Sequence, residues 1–222
     1  MNNILIKVEN LVKTFGGLVA LNDCSLEIKD KAITGIIGPN GSGKTTLFNV
    51  ITGNLKPDTG KVFYNGVEIT NEESHDLFHL GVLRTFQIAH EFSNMTVIEN
   101  LMVVPGNQKG EKLLYSLMNS QKIKKEDELI KDKAMEVLKF LKIEHLKNER
   151  AGNLSGGQKK LLELARTMMV DAKIVFLDEV GAGVNKTLLR DISDSILKLN
   201  QDKGYTFCTV SYTHLTLPTS ND

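Results

Sequence analysis

Cysteine is scarce, and nothing arranges it for metal or disulfide chemistry. Cys24 and Cys208 are the only two in 222 residues, far apart and outside any metal-ligand spacing. Two reduced, buried thiols are expected, as in a reducing compartment. Long apolar runs are also missing: none approaches the roughly 20 residues that span a bilayer. The opening MNNILIKVEN has no basic region followed by a long apolar stretch, so no secretory signal is read. A chain of this kind that works at a membrane must work against other subunits' helices. An excess of charge of either sign is absent as well, with 27 basic residues against 27 acidic ones. That balance gives no electrostatic reason to expect a nucleic acid partner. Internal repeats, low-complexity segments and linkers are lacking too, and 222 residues suffice for one large domain or a domain with a subdomain.

What is present alternates between strand and helix patterns. ILIKVENLVKTF and VALNDCSLEI interleave apolar and polar residues and predict half-buried strands. AITGIIG, from Ala32 to Gly38, is a short apolar run ending in glycine, the pattern of a buried strand. KTTLFNVITG predicts a helix stopped by Gly53. Asn65-Gly66 between two apolar runs predicts a hairpin. SHDLFHLGVLRTFQ predicts a short helix and then a strand into Gln87. From Thr96 to Leu146 helical spacing takes over in TVIENLMVV, GEKLLYSLMN and KDKAMEVLKFLKI, an inserted helical subdomain. Its charge run KIKKEDELIKDK reads as a solvated helix face. A helix over KKLLELARTMM, a buried strand KIVFLDE, an amphipathic helix over TLLRDISDSILKLNQDK ended by Gly204, and a buried strand YTFCTV follow. Such alternation argues an α/β sheet with parallel core strands.

Three motifs carry chemistry. GPNGSGKTT fits G-x-x-x-x-G-K-[ST] between a predicted strand and a predicted helix, the context a phosphate-binding loop requires. Its residues are Gly38, Pro39, Asn40, Gly41, Ser42, Gly43, Lys44, Thr45 and Thr46. The glycines let backbone wrap an anion, and the helix N-terminus adds aligned N–H groups. Lys44 suits the β- and γ-phosphates, and the Thr45 hydroxyl suits Mg²⁺. The strand KIVFLDE ends in two carboxylates, Asp178 to hold Mg²⁺ and Glu179 to polarise an attacking water as general base. The third motif, LSGGQ, is Leu154, Ser155, Gly156, Gly157 and Gln158. A hydroxyl and exposed N–H groups at a helix start make a second anion site.

With LSGGQ the sequence resembles the ATP-binding subunits of ABC transporters, whose signature motif those five residues match without departure. The resemblance runs over residues 1 to about 209. It implies an ATPase using ATP and Mg²⁺, with a P-loop NTPase core of mixed, largely parallel sheet, an N-terminal antiparallel β subdomain and an inserted helical subdomain. Residues 1–90 and 154–209 are then the nucleotide-binding core, and 91–153 the helical subdomain. In the family the signature completes the nucleotide site of a second copy, so a head-to-tail pair of ATPase subunits is implied, identical or sister. Phe15 matches the aromatic that stacks on adenine. Gln87 matches the glutamine that touches Mg²⁺ and water and senses the membrane partner. The resemblance departs at Val180, usually proline, which leaves the loop VGAGVN less rigid. FGGLVALNDCSLEI, GVLRTFQIAHEFSNMTVIENLMV and AGNLSGGQKKLLELARTMMVDAKIVFLDE look like the branched-chain amino-acid uptake subfamily, whose relatives move urea or short amides. That branch implies permease subunits in the membrane, a substrate-binding protein reached indirectly, and a peripheral position on the membrane's cytoplasmic face. A soluble ABC-type ATPase in a regulatory or mechanical role is the alternative. Sustained heptads would mark its repair type and two phosphate loops on one chain its translation type; the sequence has neither.

Family members continue after YTFC with a Glu-His-Asp stretch whose histidine contacts the γ-phosphate. At that register stands Tyr212, and His214 comes two positions late. VSYTHLTLPT, from Val210, resembles translated adapter DNA of transposase-based sequencing. The expectation is that 210–222 is a non-native tail on a naturally longer protein, and that turnover is weak or absent without the histidine.

Overall fold

The computed structural model describes residues 3–85, 91–106, 120–170, 172–178 and 186–210. The chain divides into two compact units, one of Met1–Gln87, Ala172–Ala182 and Leu189–Asp222, the other of Ile88–Asp171 and Gly183–Leu188.

The first unit holds two sheets. The alternating runs form β1 (Ile4–Phe15) and β2 (Leu18–Lys29), paired antiparallel. β4 (Thr59–Tyr64) lies on the other side of β1, and β5 (Val67–Glu68) on β4, giving the order β2-β1-β4-β5. Between β4 and β5, Asn65 and Gly66 both take positive φ, 49° and 78°. Two left-handed residues make the tight turn whose twist matches the flanking strands. The second sheet is parallel, in the order β3-β8-β7-β6. Its strands are β3 (Ile33–Ile36), β6 (Val82–Arg84), β7 (Ile174–Asp178) and β8 (Thr206–Val210). Every residue of β7 and β8 is buried, as their unbroken apolar runs require.

Helix α1 (Lys44–Ile51) follows β3 and buries Leu47, Phe48, Val50 and Ile51 in a core shared with β1, Val62 of β4, β7 and β8. Phe48 meets Phe176 of β7 edge to face, with centroids 5.0 Å apart. Gly53, at φ 71°, takes the left-handed turn that stops the helix. α2 (Ser74–His79) leads into β6. Helix α6 (Lys186–Lys203) spans both units' sequence ranges; Gly204 (φ 69°) ends it before β8.

In the second unit, α3 (Val97–Met102) starts on a Thr96–Glu99 capping box. Asn100, fully buried, accepts from Phe92 N at 2.8 Å and donates to Thr96 O at 2.9 Å, so one amide stitches the preceding loop to the helix. α4 (Ser120–Phe140) and α5 (Gly156–Met168) pack with α3. Most of the described part of α4's charge run is exposed, and Leu129 is 70% exposed among it. The helix expected over GEKLLYSLMN lies outside the described residues. The signature residues and α5 fall within this second unit. Of the two thiols, Cys208 is buried and Cys24 only half-buried. Among the described residues no helix is long and apolar enough to cross a membrane.

Candidate active site

The phosphate loop hangs between β3 and α1. Gly43 is the N-cap of α1 at φ 88°, and a Cβ on it would lie 2.3 Å from the Ala20 carbonyl oxygen. Both the backbone angle and the close approach therefore demand glycine. Lys44 opens the helix, 8% exposed, and its Nζ donates to the Gly38 and Pro39 carbonyls at 2.8 and 2.7 Å. The ammonium is thus folded back over the loop it follows. Thr45 and Thr46 complete the first turn, which has no acidic residue and no side-chain cap. A helix start that its own side chains leave uncapped suits an anion.

Asp178 is the last residue of β7 and 1% exposed at its side chain. Arg84, the last residue of the neighbouring β6, donates from Nη2 to Asp178 Oδ2 at 2.7 Å. Its Nη1 donates to Asn49 Oδ1 on α1. Asp178 Oδ1 is buried with no hydrogen-bond partner among the described residues. A buried carboxylate oxygen left over beside a phosphate-loop helix is what a hard cation or its water takes up. The residues present therefore fit a nucleotide polyphosphate with a divalent cation. Arg84 and Asn49 were missed in the sequence. The only local signal was a charge inside the otherwise uncharged GVLRTFQ.

Phe15 ends β1 at the hairpin tip, 49% exposed, with Lys13 Nζ 5.8 Å from its ring centroid. The strand end beneath it is clamped by Asp58. That carboxylate accepts from Lys13 Nζ at 2.8 Å and from the Thr14 amide and hydroxyl at 2.7 Å each. The Lys13 ammonium first, then the Thr14 donors, hold the Asp58 carboxyl down at about 2. An exposed aromatic on a fixed strand end can stack on a flat ring.

In the second unit Leu154 is buried and Ser155 is the N-cap of α5. Ser155 Oγ accepts from Gln158 N at 3.4 Å, and Gln158 Oε1 accepts from Ser155 N at 2.9 Å. The signature's serine and glutamine thus shape its own turn as a capping box. Gly156 stays exposed and Gly157 is buried. Next in the helix, Lys159 pairs with Glu91 at 2.7 Å. Gln87, Glu179, the loop from Val180 to Asn185, Tyr212 and His214 lie outside the described residues.

Comparison with known proteins adds five findings. The family model described as ABC transporter matches residues 21–182. The chain is similar to a probable branched-chain amino acid transport ATP-binding protein, LivG, of Methanocaldococcus jannaschii: 45% identical over 208 residues, 94% of this chain and 80% of that protein. It is 33% identical to the high-affinity LivG of Escherichia coli over 96% of this chain and 83% of that one. Among solved structures, a nucleotide-free ATP-binding cassette from an ABC transporter matches with TM-score 0.80 and 43% identity, over 95% of this chain and 82% of that chain. A dimeric bacterial ABC transporter cassette matches with TM-score 0.74 and 26% identity, over 93% and 88%.

Proposed function

Because the chain belongs to the ABC transporter family of ATP-binding proteins, we propose that it is the ATPase subunit driving an importer of branched-chain amino acids. It binds ATP with Mg²⁺ as the ATPase-type subunit of an ABC transporter. The likeness to the LivG proteins along almost the whole chain is the observation that carries the choice of substrate.

In this reading the work divides among a few side chains. The loop from Gly38 to Thr46 wraps the polyphosphate, with Lys44 turning from its loop carbonyls to the β- and γ-phosphates. Phe15 stacks on the adenine. Thr45, Gln87 and Asp178 hold Mg²⁺, which when bound neutralises charge on the phosphates. Glu179 takes the proton from the attacking water. Leu154 to Gln158 close over the ATP of a second ATPase subunit placed head to tail; the match to a dimeric cassette supports the second subunit. Permease subunits and, through them, a substrate-binding protein are the further partners.

At the register of the family's γ-phosphate histidine stands Tyr212, a phenol that lacks the two ring nitrogens of imidazole. Hydrolysis by the chain as it stands is expected near background and unaffected by His214→Ala. Uptake is therefore tested with Ser211, Tyr212 and Thr213 replaced by Glu-His-Asp, co-expressed with the permease subunits of a related branched-chain importer, in cells lacking their own. Radiolabelled leucine should enter, and not when Lys44→Ala is added. Restored hydrolysis without leucine uptake would overturn the substrate assignment.

A further inference from the structure

The guanidinium of Arg84 joins three pieces of the site that are separate in sequence. It reaches Asp178 at the end of β7 across 94 residues and Asn49 on α1 across 35. The ion pair is buried, with the Arg84 and Asp178 side chains 10% and 1% exposed. Removing two charges from water offsets most of their attraction, so such a pair is weak evidence of a stabilising role. Its geometry is more telling. One fork arm of Arg84 takes Asp178 Oδ2 and the other takes Asn49, while Asp178 Oδ1 and Arg84 Nε are buried without partners among the described residues. The pairing is therefore one-sided and leaves a single carboxylate oxygen to be used.

We infer that Arg84 is a positioning residue for Mg²⁺: it fixes Asp178 through Oδ2, leaves Oδ1 to the cation or one of its waters, and ties that carboxylate through Asn49 to the phosphate-loop helix. The inference rests on the proposed role of Asp178. Two effects oppose each other. The positive charge of Arg84 repels a nearby cation, but it is already paired with Asp178. Mg²⁺ demands near-ideal octahedral geometry, so a ligand free to rotate is a poor one. Partners that orient metal ligands are worth about 10- to 100-fold in metal affinity, so orientation wins.

ATP binding is measured by calorimetry in EDTA and across a Mg²⁺ titration, for the parent, Arg84→Lys, Arg84→Met and Asp178→Asn. Lysine keeps the buried carboxylate paired but cannot fork to Asn49 as well. Arg84→Lys should bind ATP in EDTA as the parent does, and should need about 10- to 100-fold more Mg²⁺ for half of the Mg²⁺-dependent gain. Arg84→Met should lose more of that gain; if it does not fold, Arg84→Lys decides alone. Equal loss with and without Mg²⁺, in step with a lower Tm, would mean a structural pair only and would overturn the inference. Unchanged or tighter Mg²⁺ dependence in Arg84→Lys, with the dependence lost in Asp178→Asn, overturns it and leaves the Asp178 assignment standing. Mg²⁺ dependence intact in Asp178→Asn overturns both.

Discussion

Gly41 and Gly43 sit two positions apart in the phosphate loop and differ in what surrounds them. Both have positive φ, 77° and 88°. A Cβ at Gly41 would meet nothing within 4 Å, whereas at Gly43 it would run into the Ala20 carbonyl. Gly41→Ala therefore carries only the left-handed backbone penalty, about 1–2 kcal/mol. It should lower Tm modestly, and less than Gly43→Ala does. Gly43→Ala must displace the loop from β2 and should lose ATP binding as Lys44→Ala does. Calorimetry on the three variants with thermal melts checks this; equal behaviour of the two glycine variants would count against the loop geometry. The pattern G-x-x-x-x-G-K already marked Gly43 over Gly41. It could not show that the reason at Gly43 is a strand carbonyl, because Ala20 belongs to an element 23 residues earlier in no motif.

Elements with local causes were legible, and those set by distant partners were not. Asn65-Gly66 announced its hairpin, and Gly204 the end of α6, because left-handed residues decide both within a few positions. The Arg84 tie spans 94 residues and follows no period. The placement of α5 with the second unit depends on packing against α3 and α4, which the apolar spacing of α5 alone cannot assign. The same holds for Asp58, an ordinary turn aspartate in sequence that clamps the end of β1. Its carboxyl lies near 2 against an ordinary 3.8, so the unfolded chain takes up the proton first as pH falls. The clamp's contribution is fully present above about 3.8 and is lost as pH drops through about 2. Asp58→Asn should lower Tm at pH 6, and the gap to the parent should narrow below pH 3.8. A gap independent of pH would mean that the clamp does not act through the ionised carboxylate.

At the scale of the molecule, the proposed role of the signature loop requires a second subunit. Ser155 and Gln158 satisfy each other in the capping box, while Gly156 is left exposed at the helix start. In the proposed pair, that exposed glycine is where the second subunit's ATP would meet the loop. In the protein carrying Glu-His-Asp at positions 211 to 213, Glu179→Gln removes the proposed base and leaves binding intact, so with Mg-ATP it should elute as a dimer on size exclusion, and as a monomer without nucleotide. A strictly monomeric variant at saturating ATP would count against the head-to-tail pair. The strand order of the parallel sheet has a different kind of consequence. β8 lies between β3 and β7, and Lys31 N, just before β3, donates to Thr206 Oγ1 across 175 residues. As the chain leaves the ribosome, β3 emerges early and must wait for the one strand that joins it to β7. At about 5–20 residues per second that wait is roughly 10–35 s. The antiparallel sheet, whose four strands all lie within the first 68 residues, can pair long before. The first half of the nucleotide site is therefore born without its floor, and a nascent chain stalled before Thr206 should hold a folded antiparallel sheet beside an unsealed phosphate loop.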